Sequence, residues 1–216
     1  MSKMGIGTLI VFTGQNGAGK TSIIKELVSY YSYMCVKCKV YKFPNRHNPI
    51  NGKKIDDYLN KRIEIKSKYD VLDMFATDRA WSRDSIIEDI YNGYIVFCDR
   101  YIYDAIAYQI PLTASLSQIQ LYSDIIGYFD KKMPLPTMTY VIDGNFLQQR
   151  HNLNEERFHY SGYKSKQIFN IIMNVVKMKT KKYTILSNHD QHLNHIVRYI
   201  ISDINVYLDI KSCHQY

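Results

Sequence analysis

Apolar and polar positions follow two different rhythms along this chain. Short, largely apolar runs occupy residues 8–12, 36–43, 94–98, 138–142 and 183–186, the second of them interrupted by lysines. A strand covered by helices on both faces is apolar at every position rather than at alternate ones, so these runs predict buried strands of a parallel sheet. Between them the period changes to three and four residues. Ile23, Ile24, Leu27, Val28 and Tyr31 form one stripe of a helix over about residues 20–33, and Leu193, Ile196, Val197, Ile200, Ile201 and Ile204 form another over about residues 190–208. Strands alternating with helices predict an α/β fold of three layers around a parallel sheet, with ligands at the carboxyl ends of the strands.

Composition narrows the class without naming a function. The 216 residues are 46% hydrophobic and 22% charged, which supports a sizeable core and excludes general disorder. No repeat, low-complexity tract or Gly/Ser linker divides the chain, so residues 1–216 are expected to form a single domain. The apolar runs fall far short of the roughly 18 residues that span a bilayer, and the amino end lacks a signal-like apolar segment. No membrane association is expected, and a cytoplasmic location is. The net charge of +8 favours anionic partners, although a lysine-rich solvated surface accounts for it equally well. Of Cys35, Cys38, Cys98 and Cys213, the first two form an isolated C-x-x-C without a second pair at zinc spacing, so reduced thiols are expected.

The strongest chemical signal directly follows the first strand. Gly14, Gln15, Asn16, Gly17, Ala18, Gly19, Lys20 and Thr21 satisfy the phosphate-loop pattern G-x-x-x-x-G-K-[ST]. Glycines let the backbone N–H groups converge on phosphate oxygens, and the following helix adds the positive end of its dipole. Lys20 would neutralise the β- and γ-phosphates of ATP, and the Thr21 hydroxyl would join the shell of a Mg²⁺ ion. The loop predicts nucleotide binding and leaves the reaction open. Asp124 to Gly127 and the stretch at 67–70 imitate GTPase motifs, but in reversed order and within helical patterns.

Three arginines stand where an anion would explain them. Arg46 follows the second apolar run in Phe43-Pro44-Asn45-Arg46. Arg79 shares a helical stripe with Leu72, Phe75 and Ala76, where a guanidinium needs a partner: either an internal carboxylate or a ligand. Asp99 and Arg100 arrive together at the end of the third run, suited to a Mg²⁺ shell and an acceptor phosphate, or to a plain ion pair.

Taken in order, G-Q-N-G-A-G-K-T, F-P-N-R, F-A-T-D-R-A-W (75–81) and D-R-Y (99–101) resemble the thymidylate kinase family, and Glu156-Arg157-Phe158 with the following tract resembles its eukaryotic and large-DNA-virus branch. The resemblance covers most of the chain. It implies the P-loop nucleoside monophosphate kinase fold, with the phosphate loop at 14–21, an acceptor region at about 43–110 and a lid at about 144–162. It further implies a homodimer that transfers the ATP γ-phosphoryl group to dTMP for dTTP synthesis. Residue by residue, it places Lys20 and Thr21 on ATP and Mg²⁺, Asp99 on the metal and its waters, and Arg46 and Arg100 on the dTMP phosphate. Phe75 would stack on thymine, Arg79 would meet its edge, and Phe43, Leu59 and Tyr108 would line the nucleoside pocket. In the lid, Arg150 would lie against adenine and add charge at the transition state, while Phe158 would cover the acceptor.

The chain departs from that pattern in ways that bear on specificity. Thr13 and Asn16 stand where acids are usual, Gly17 where a basic residue is common, and Asp104 where a small hydroxyl residue near the base is expected. The missing loop cation shifts the expected transition-state charge to Arg150, Arg157 or Lys164. Two other functions fit a phosphate loop: a deoxynucleoside kinase, which needs no clamp for an acceptor phosphate, and a nucleic-acid-dependent ATPase. Paired aromatic and basic stacking platforms are lacking, so nucleic acid is not expected as a partner.

Overall fold

The computed structural model describes residues 7–130, 132–144, 162–188 and 193–210. Its elements run β1 (Thr8–Gly14), α1 (Lys20–Tyr33), β2 (Cys38–Lys42), α2 (Gly52–Leu59), α3 (Lys68–Tyr91), β3 (Ile95–Asp99), α4 (Ile102–Gln109), α5 (Leu116–Phe129), β4 (Met138–Asp143), α6 (Gly162–Lys179), β5 (Tyr183–Ser187) and α7 (Leu193–Leu208). The strands form one parallel sheet in the order β2-β3-β1-β4-β5. From central β1 the chain builds β2 and β3 on one side and β4 and β5 on the other. The carboxyl ends of β1, β3 and β4 therefore frame the crevice at which such sheets take ligands.

Side-chain alternation along the strands sorts the core into two halves. Leu9, Val11, Val96, Cys98 and Val141 face α4 and α6, packing with Ile106, Ile168 and Ile172. Ile10, Phe12, Ile95, Phe97 and Tyr140 face the other way, onto Ile23, Leu27 and Tyr31 of α1 and Ile196, Ile200 and Ile204 of α7. Every residue of β1 and β3 is buried, as an unbroken apolar run predicts. The edge strands behave differently. β2 is shorter than the run at 36–43 and leaves Lys39, Val40 and Lys42 exposed, and β5 alternates, because an edge strand has a neighbour on one side only. The predicted helical stripes are present, with Val28, Leu193 and Ile201 half-buried at their margins.

Polar contacts to neighbouring elements also pin the last helix. The Tyr31 hydroxyl donates to Asn205 Oδ1 (3.0 Å), and the Tyr140 hydroxyl donates to Asp203 Oδ2 (2.7 Å). Among the described residues no helix is long and apolar enough to cross a membrane.

Candidate active site

The turn out of β1 depends on its glycines. Gly14 has φ +134, and a Cβ there would lie 2.1 Å from the Ile142 carbonyl oxygen on β4. Gly19, at φ +93, ends the loop and starts α1 with no side-chain cap, leaving the helix's first N–H groups for an anion. The loop is fastened from below at both ends. Gln15 is buried, donating through Nε2 to the Ser165 carbonyl (3.1 Å) and accepting through Oε1 from the Gly144 N–H (3.3 Å). Asn188, directly after β5, donates through Nδ2 to the Ala18 carbonyl (2.9 Å).

Lys20 lies folded over this loop. Its ammonium donates to the carbonyls of Gly14 (3.0 Å) and Gln15 (2.5 Å), and the residue is 5% exposed. Burial, reinforced by the nearby Arg100 charge, lowers its pKa from 10.5 to about 7. A phosphate anion brought to the loop would restore the charged form.

Thr21 and Asp99 meet across the crevice, the hydroxyl donating to Asp99 Oδ2 at 2.5 Å. Lys42 Nζ lies 3.7 Å from the same oxygen. A hydroxyl and a carboxylate are hard oxygen donors, as Mg²⁺ requires. Among the described residues there is no cluster of three or more His, Cys, Asp or Glu able to hold a metal alone. That donor set fits an ion shared with nucleotide phosphates and water.

Arg100 follows β3 in a left-handed conformation, φ +73, with its N–H on the Phe12 carbonyl (2.8 Å). Its guanidinium donates through Nη1 to Asp104 Oδ1 (2.7 Å) and the Gly14 carbonyl (3.2 Å), and through Nη2 to Asn16 Oδ1. It also lies 5.2 Å from the centre of the Tyr108 ring. Asp104, expected from its sequence position near the base, is buried against Arg100 and caps α4 by accepting the Tyr101 N–H (3.2 Å).

The remaining acceptor-region residues surround the segment after β2. Phe43 is buried against Tyr101, precedes a cis peptide bond to Pro44, and donates its N–H to the Asp99 carbonyl (3.0 Å). Asp78, on α3, is fully buried and accepts from Asn45 N (2.8 Å) and Asn48 Nδ2 (2.9 Å). Burial raises its pKa against the pull of those two hydrogen bonds. Arg46 pairs with Asp56 (3.0 Å), whose carboxylate also accepts from Arg62. Leu59 and Phe75 pack with Ile55, Val71 and Met74, and Tyr58 meets Phe75 edge-on at 6.3 Å between ring centres.

Arg79 occupies the buried stripe foreseen for it, and its fork faces a carboxylate of the protein. Nε and Nη2 donate to the two oxygens of Asp130 at 2.8 and 2.7 Å, so of the two partners left open by the sequence, the internal carboxylate is present. Arg150, Arg157 and Phe158 lie outside the described residues, as does nearly all of the lid at 144–162. Lys164 is exposed in the first turn of α6.

A phosphate loop and an Asp-Arg pair at the end of the neighbouring strand thus meet in one crevice, and the arginine-bearing turn after β2 begins beside that pair, at Phe43. The family profile described as thymidylate kinase matches residues 12–200, which includes all three. The chain belongs to the thymidylate kinase family. A thymidylate kinase of Caenorhabditis elegans is 30% identical over 162 residues, 70% of each chain. That of Schizosaccharomyces pombe is 35% identical over 108 residues, and the match spans only half the length of this relative and half of the present chain. A solved thymidylate kinase structure from Candida albicans superposes with a TM-score of 0.70 at 23% identity, covering 93% of this chain and 92% of that one, and so shares the fold.

The family motifs pointed to most of these positions, but not to Asn188, Asp130 or Asp56. Asn188 had a usable signal, because it directly follows a predicted strand of the sheet. Asp130 and Asp56 had none, since their partners are selected by packing.

Proposed function

We propose that this thymidylate kinase family member transfers the γ-phosphoryl group of ATP to dTMP, giving dTDP and ADP. The observation that carries the reading is the reach of Arg100 from β3 onto the rim of the phosphate loop, at Gly14 and Asn16. In-line transfer requires a donor cradle and a clamp for the acceptor phosphate in one crevice, with fixed positive charge between them.

The loop N–H groups and Lys20 would hold the donor's β- and γ-phosphates, the lysine exchanging its two carbonyl partners for phosphate oxygens. Thr21 and Asp99 would hold Mg²⁺, which when bound neutralises charge on those oxygens. Arg46 and Arg100 would grip the acceptor phosphate, and Phe43, Leu59, Phe75 and Tyr108 would line the nucleoside pocket. With one N–H each of Nε and Nη2 committed to Asp130, Arg79 would have Nη1 and the second N–H of Nη2 to offer a base edge. Arg150 and Phe158 complete the reading as lid residues that exclude water. A cytoplasmic homodimer belongs to the same reading, and light scattering after size exclusion tests its assembly.

ADP formation from Mg·ATP tests the reaction, with dTMP, dUMP, dGMP, thymidine or single-stranded DNA supplied separately beside a no-acceptor control. The expected response is to dTMP. A response to thymidine that survives Arg46→Ala would make the protein a deoxynucleoside kinase, and a response to DNA alone would make it an ATPase.

A further inference from the structure

Arg100 is held from several directions, and among the described residues one of its hydrogen-bond partners carries charge. Gly14 and Asn16 present neutral oxygens, whereas Asp104 presents a carboxylate oxygen at 2.7 Å. That carboxylate is itself fixed. Asp104 is 3% exposed, and its second oxygen accepts the N–H of Tyr101, the residue next to Arg100 in the chain. One side chain therefore ties the turn after β3 to the guanidinium that the turn carries. A non-glycine residue at φ +73 persists only where its surroundings over-determine it, and the Asp104 link is one of those determinants.

We propose that Asp104 is a positioning residue that fixes Arg100 across the rim of the phosphate loop and so sets the strength of the acceptor-phosphate clamp. This rests on the monophosphate-acceptor reading above. A buried guanidinium without a charged partner has no single preferred orientation; one already bonded to a fixed carboxylate aims its remaining donors in a set direction. Tyr108 adds a wall against which the guanidinium lies, 5.2 Å from its ring centre. Asp104 touches no reacting atom in this scheme and acts through Arg100.

The test compares direct binding of dTMP and thymidine, which differ by the phosphate alone, in the wild type, Asp104→Ser and Asn16→Asp/Asp104→Ser. Losing one charge-assisted hydrogen bond predicts about ten- to a hundredfold weaker dTMP binding in Asp104→Ser. Thymidine affinity and the KM for ATP should stay within about twofold of wild type. The added Asn16→Asp returns a carboxylate to the other guanidinium nitrogen and should recover about tenfold. Equal weakening of dTMP and thymidine, an unchanged ratio between them, or no recovery in the double variant would overturn the proposal. A second readout does not depend on dTMP. Arg100 Nη resonances in the ligand-free protein should show slow guanidinium rotation in the wild type and rapid averaging in Asp104→Ser. Persistence of slow rotation in the variant overturns the proposal, whereas a wild type that prefers thymidine to dTMP overturns the acceptor reading.

Discussion

Arg79 offers the sharpest separation of a structural arginine from a ligand-binding one. Its guanidinium and the Asp130 carboxylate form a two-bond fork, 2.8 and 2.7 Å, with side chains 4% and 3% exposed. Arg79→Met removes the cation and leaves Asp130 as an uncompensated buried carboxylate. Breaking such a pair from one side costs about 3 to 5 kcal/mol, while replacing both partners with apolar groups of similar volume is often near neutral. For a chain of this size the single variant should therefore melt about 6 to 20 °C lower. Arg79→Met/Asp130→Leu should return most of that loss. Urea unfolding of the wild type, both single variants and the double variant measures the coupling as a thermodynamic cycle. At temperatures where each variant is folded, phosphoryl transfer by the double variant should stay within about tenfold of wild type, the range of one weakened hydrogen bond. The reasoning fails if Arg79→Met costs less than about 1 kcal/mol, the level of an exposed pair. It also fails if the double variant is stable yet lacks dTMP binding, for Arg79 would then serve the ligand first.

Lys20→Met should abolish transfer by more than about a hundredfold, as expected for a charge lost from the transition state. Its effect on stability has a defined sign. The folded pKa of about 7 lies below the ordinary 10.5, so the unfolded chain binds more protons between these values and this group's contribution to stability rises with pH across that window. The wild type should gain stability relative to Lys20→Met as pH is raised from 7 to 9, in urea titrations without nucleotide; a flat difference would refute the burial. Gly14→Ala sets a Cβ 2.1 Å from the Ile142 carbonyl at φ +134 and should cost more than about 2 kcal/mol, read from the same titrations. Asn188→Ala frees the Ala18 carbonyl and should raise the KM for ATP several-fold while leaving that for dTMP unchanged; equal rises in both would assign Asn188 to general stability.

The central strands, the amphipathic helices and the phosphate loop were legible in the sequence because each obeys a rule confined to neighbouring residues. Continuous burial makes β1 and β3 apolar along most of their length, a period near 3.6 puts Ile23, Leu27 and Tyr31 on one side of α1, and the loop needs glycine wherever φ turns positive, as at Gly14 and Gly19. Motif order also foretold that Lys20, Thr21, Asp99 and Arg100 share a crevice, since residues just beyond parallel strands gather at one edge of the sheet. The choice of electrostatic partners was decided only by tertiary structure. The burial of Arg79 was predictable, but which carboxylate would meet it depended on packing that brings Asp130, 51 residues away, against α3, while adjacent Asp78 turns to the loop at Asn45 and Asn48. Asp104 shows the same limit at closer range. Its place in D-R-Y-I-Y-D gave no sign of its ionic partner; the left-handed turn at Arg100 folds the guanidinium back over the first turn of α4, where that carboxylate meets it. Local patterns follow from bonded geometry and burial, whereas a long flexible side chain selects among several charges by distances that exist only after the chain has folded.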